Sequence, residues 1–170
     1  MKGKNAVFRK NKPVPPPFVV QVLTTEYLIE GTAQGDAYID LFRGLDDWSP
    51  LRLTSVQITP TGPAQVPAQS LPVFMVSGNS VVALVPRIEL SQMADREVWD
   101  QYEIPCPGIF YMGPYLIRGT MMFLCKDRIE EVMPMFGVQI RHTVPGAVLD
   151  ELNAPFIVVN PSWMVGYQPT

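Results

Sequence analysis

The sequence predicts a mainly β protein with short helices, built from two tandem small bent-sheet or barrel units that arose by internal duplication. Three observations carry this reading. The stretch Tyr27-Leu28-Ile29-Glu30-Gly31-Thr32 returns as Tyr115-Leu116-Ile117-Arg118-Gly119-Thr120, with five of six residues identical. Further matching blocks flank both copies in the same order. The 18 prolines, about twice ordinary usage, are scattered between short apolar runs, as expected where many short strands meet at turns.

A fixed-order echo is the signature of a repeat architecture. Upstream of the six-residue match, Pro17 to Leu23 sits at the place that Pro105 to Tyr111 takes in the second copy, and Thr25-Glu26 matches Gly113-Pro114, a turn in each. Downstream, Val56-Gln57-Ile58 matches Val138-Gln139-Ile140, and Pro72 to Pro86 runs alongside Pro155 to Pro169. The chain divides accordingly into a basic, proline-rich and disordered tail at 1–16, a first unit at 17–86, a linker at 87–104 and a second unit at 105–170. Units of that size bury too little surface to be robust alone, so the two copies share an interface.

Along the chain, Pro13-Val14-Pro15-Pro16-Pro17 is an extended spacer. Phe18 to Leu23 and Tyr27 to Ala33 read as strands, the second with Tyr27, Ile29 and Gly31 on one face. A glycine inside a strand marks a bend or a close backbone approach, and Gly119 repeats it. Asp36 to Gly44 and Asp127 to Met135 read as short helices, the latter with Asp127 as N-cap. Leu51 to Thr59 alternates irregularly enough to predict a bulge. Residues 60–72 and 143–154 read as loops. Val73 to Ser77 and Ser80 to Val85 are strands around Ser77-Gly78-Asn79. Residues 87–104 read as an inter-unit linker, in which Arg87-Ile88-Glu89-Leu90 continue the preceding strand and the stretch from Ser91 onward is charged and weakly helical.

Charge is uneven. Lys2, Lys4, Arg9, Lys10 and Lys12 crowd the first twelve residues, which hold no acid; setting those five aside leaves eight basic residues against sixteen acidic ones. An acidic body opposes non-specific nucleic-acid binding, which depends on neutralising phosphates. Hydrophobic content of 47% supports a core and excludes general disorder. No apolar run approaches the ~18 residues of a membrane span, residues 1–16 have no secretory apolar segment, and cysteine is limited to Cys106 and Cys125. The expected setting is cytoplasmic, with no membrane partner.

The chain carries no recognisable catalytic or cofactor motif, so the expectation is a non-enzymatic protein without cofactor or metal. His142 is the sole histidine, and any histidine-based acid–base chemistry must use it. Pairing with Cys125 as nucleophile would need the fold to bring them together. Two cysteines and one histidine fit no zinc spacing. The apolar Met121-Met122-Phe123-Leu124 run suits a buried strand or a subunit interface.

Each unit resembles the Sm-like fold, especially the bacterial Sm-like RNA chaperones; an SH3-like barrel is the related alternative. The resemblance lies in Val20-x-Val22 leading to Ile29-Glu30-Gly31, in Ile109 leading to Ile117-Arg118-Gly119, and in the closing strand pairs Val76 to Pro86 and Val159 to Pro169. It implies a strongly bent five-stranded sheet and rings of six or seven lobes joined by strand pairing, with RNA around the pore. The family's RNA-contacting turn corresponds to Ser77, Gly78 and Asn79 and to Asn160, Pro161 and Ser162, which are the candidate binding residues. They offer no aromatic or cationic side chain for stacking or phosphate contact. The implied function is self-association through strand edges, as a trimer of two-lobed chains forming a six-lobed ring, with protein or RNA as further partners. The alternatives are an RNA-associated regulator that uses its basic tail, and a small hydrolase on a β-barrel.

Overall fold

Alternating and continuous apolar runs lay down ten strands in the computed structural model, which describes residues 16–34, 50–63, 67–88, 102–123 and 133–170. They are β1 (Phe18–Leu23), β2 (Tyr27–Ala33), β3 (Leu51–Pro60), β4 (Gln69–Val76), β5 (Ala83–Pro86), β6 (Ile104–Met112), β7 (Tyr115–Phe123), β8 (Met133–His142), β9 (Glu151–Val159) and β10 (Met164–Pro169). Among the described residues the helical elements are two three-residue 3-10 turns, Gly78–Ser80 and Pro161–Trp163.

The helix expected over 36–44 lies outside the described residues, as do the basic tail up to residue 15 and most of the linker. Of the helix expected over 127–135, Met133, Pro134 and Met135 are described, and all three belong to strand β8. The helix expectation is wrong there, because apolar contacts along β7 and β9 outweigh local helix preference. The strands also reach further into the expected loops, with β4 starting at Gln69 and β9 at Glu151.

All ten strands form one antiparallel sheet in the order β10-β6-β7-β8-β9-β5-β1-β2-β3-β4. The order contains the same run twice: a fifth strand, then the first, second, third and fourth. The runs β10-β6-β7-β8-β9 and β5-β1-β2-β3-β4 meet where β9 pairs with β5. The first hairpin is closed by Thr24, whose Oγ1 accepts from Tyr27 N at 3.0 Å. The corresponding β6–β7 turn uses Gly113 at φ +55°, a conformation glycine adopts without steric cost.

The bulge expected in β3 is present, and β8 has its counterpart. Register shifts between Glu30 and Thr32 on β2, and between Arg118 and Thr120 on β7. Two residues, Ser55 and Val56, thus oppose Gly31, and Gly137 and Val138 oppose Gly119. The first of each pair has positive φ, 52° at Ser55 and 58° at Gly137. The facing glycines let the bulge close: a Cβ on Gly31 would lie 3.1 Å from Leu53 Cβ, and one on Gly119 3.0 Å from the Phe136 carbonyl. Such bulges bend a strand and strengthen its twist.

Two apolar clusters result. One gathers Val20, Val22, Leu53 and Val56 with Leu84, Phe156 and Val158. The other gathers Phe110, Tyr115, Ile117 and Ile140 with Ala83, Val85, Ile157 and Val159. Strand β5 and residues 156–159 of β9 therefore supply alternate side chains to both clusters and are buried on both faces.

The bulge geometry makes opposite predictions at its two sites. A Cβ added at Gly137 would meet open space, so Gly137→Ala should cost only the backbone penalty, about 1–2 kcal/mol. Ser55→Gly should relieve the same penalty and raise the melting temperature by a few degrees; thermal unfolding monitored by circular dichroism checks both.

Candidate assembly edges and seam

The seam between the two runs is short and dry. Ala83 lies opposite Val159 and Leu84 opposite Val158, and Asn160 N donates to Val82 O at 3.0 Å. Val82 and Ala83 are 0% exposed, and Leu84 and Val158 are 1% exposed. The Asn160–Val82 bond sets the alternation: Asn160, Val158 and Phe156 turn their backbone polar groups toward β5.

Strands β4 and β10 end the sheet, and among the described residues each has one ladder neighbour. Their ladder positions correspond to those of β9 and β5. Tyr167 faces Phe110 on β6 as Leu84 faces Val22 on β1, and Val76 faces Leu51 on β3 as Val159 faces Met133 on β8. Val76 stays buried at the β4 edge, but its neighbours in the ladder and those on β10 are bare: Val165 is 82% exposed, Met75 52%, Tyr167 50% and Val73 43%. Neither edge strand contains Lys, Arg, Asp or Glu, although edges are commonly protected by charge. Counting from the seam, the outward backbone groups of β4 belong to Ser77, Met75 and Val73, while Pro72 falls in the inward set. Strand β10 lies close on β6, where a Cβ on Gly108 would come within 2.7 Å of Gln168 O. Tyr167 also stacks on Phe110, with ring centroids 5.6 Å apart.

The candidate binding residues occupy the two 3-10 turns. Ser77 precedes the first turn, Gly78 is buried in it, and Asn79 is exposed. In the second, the Asn160 side chain accepts from Ser162 N at 3.0 Å, with Pro161 between them. Asn160 is buried, so its amide is committed to capping the turn. Its backbone bond to Val82 sets the second turn beside the strand that leaves the first.

A cleft of about 470 Å³ opens where loops of the two runs converge, lined by Glu26, Tyr27, Pro60, Pro63, Pro114 and His142 among others. Behind it Tyr115, fully buried, donates to the Thr24 carbonyl at 2.5 Å and lies 3.2 Å from the Thr61 hydroxyl. Burial pushes the Tyr115 hydroxyl up to about 12, against the opposing effect of the Thr61 hydrogen bond. His142 packs edge-on against Tyr115 and accepts from Val144 N at Nδ1, 3.1 Å, leaving the neutral ring's proton on Nε2. Burial lowers its pKa. Cys125, its candidate nucleophile, lies outside the described residues. Among the described residues no three His, Cys, Asp or Glu side chains cluster as metal ligands, and no helix is long and apolar enough to cross a membrane.

Comparison with protein-family models, with curated proteins and with solved structures finds no match for this chain. Sequence reasoning alone misses the exposed edge residues Val73, Met75, Val165 and Tyr167. Their signal is present there only as uncharged strands aligned with Phe156, Val158, Val82 and Leu84.

Two measurements probe the seam side. Tyr115→Phe strands the Thr24 carbonyl and should cost about 1–3 kcal/mol in chemical denaturation. His142 has a lowered folded pKa, so the unfolded chain binds the proton more tightly. Its contribution should be complete above the ordinary value of 6.5 and be lost as pH falls below it; His142→Gln should flatten that part of the stability profile.

Proposed function

We propose that the chain is a non-enzymatic assembly protein of two tandem Sm-like units that self-associates through its strand edges. The observation that carries this is the contrast between equivalent residues: Val82, Leu84 and Val158 are buried where β5 meets β9, whereas Val165, Tyr167 and Met75 are exposed on the uncharged strands β10 and β4. The repeated five-strand order and the two glycine-faced bulges support an internal duplication. Among the described residues each chain has one free edge of each kind, which suits head-to-tail association, and three two-lobed chains would complete a six-lobed ring. In this reading the turns at Ser77, Gly78 and Asn79 and at Asn160, Pro161 and Ser162 remain the candidate surface for a bound partner.

Light scattering over a concentration series tests this reading. The expected result is a stable species near three chains, and a monomer throughout overturns it. Met75→Lys and Tyr167→Lys, each placing charge on an exposed edge, should shift the population toward monomer with the strand circular dichroism retained, and the unfolding midpoint should fall as the stabilisation from assembly is lost.

A further inference from the structure

We infer that the partner of each edge is a second copy of this chain, held in one register: β10 of one copy pairs antiparallel with β4 of the next, with Tyr167 opposite Met75, Gly166 opposite Val76, and Ser77 N donating to Val165 O. This deepens the self-association reading and rests on it. The template is inside the molecule, where Leu84 faces Val158, Ala83 faces Val159 and Asn160 N donates to Val82 O.

Three features favour this partner. The required outward N–H groups at Val73, Met75 and Ser77 are all present, because Pro72 falls in the inward set. Gly166 takes the place of Ala83, so nothing bulky obstructs Val76. Tyr167, Met75 and Val73 replace Leu84, Val158 and Phe156, giving an apolar joint without a buried charge. The joint is heterologous: every copy offers one β10 and one β4, so growth stops only on ring closure.

Crossed cysteine pairs in a Cys106→Ser, Cys125→Ser background test the register. Two pairs are in register, Met75→Cys with Tyr167→Cys and Ser77→Cys with Val165→Cys. Two are out of register, Met75→Cys with Val165→Cys and Ser77→Cys with Tyr167→Cys. Each substitution occurs in both classes, which controls for any effect on folding. Directly opposed residues lie within disulfide reach and diagonal ones lie further apart, so the in-register pairs should link chains at least about five-fold faster under mild oxidation. Equal or faster linking of the out-of-register pairs overturns the register. Linking of Met75→Cys alone or Tyr167→Cys alone overturns the head-to-tail polarity. In either case multimers seen by light scattering leave self-association standing, whereas a cysteine-free parent that stays monomeric overturns both.

Discussion

The pairing of β5 with β9 is the constraint on which the rest of the structure depends. A strand edge carries backbone groups that need partners, and this contact satisfies them at the middle of the sheet while burying both faces. Because successive side chains alternate, Leu84 and Val158 enter one cluster while Ala83 and Val159 enter the other. Four strand residues thus tie two sets of hairpins into a continuous sheet.

Closing one edge of each run leaves the other edge of each run at the ends. The chemistry there differs little from that at the seam; what differs is the cover. Val82 and Val165 are the same residue type at matching positions, yet one is fully buried and the other is 82% exposed. An uncharged edge with apolar side chains is costly for a chain that stays alone, which is the physical basis of the assembly reading.

The glycines of β2 and β7 act through space rather than through flexibility. A Cβ on Gly31 or Gly119 would press on the bulges of β3 and β8 at 3.1 and 3.0 Å, and the left-handed residues Ser55 and Gly137 complete the bend. Thr24, Thr61 and Tyr115 then lock loops of the two runs together beside the cleft.

The sequence by itself determined the mainly β class, most strand positions, the β3 bulge and the special role of Gly31 and Gly119, because period-two burial and glycine's missing Cβ are local properties. It misplaced Met133 to Met135, where contacts along the sheet override helix preference. Which edges pair was decided only by the tertiary structure. Hydrogen bonds between β5 and β9 join residues far apart in sequence, and nothing local distinguishes Leu84 from Tyr167 or Val158 from Met75. For the same reason the exposed edge residues became visible only once the sheet order was known.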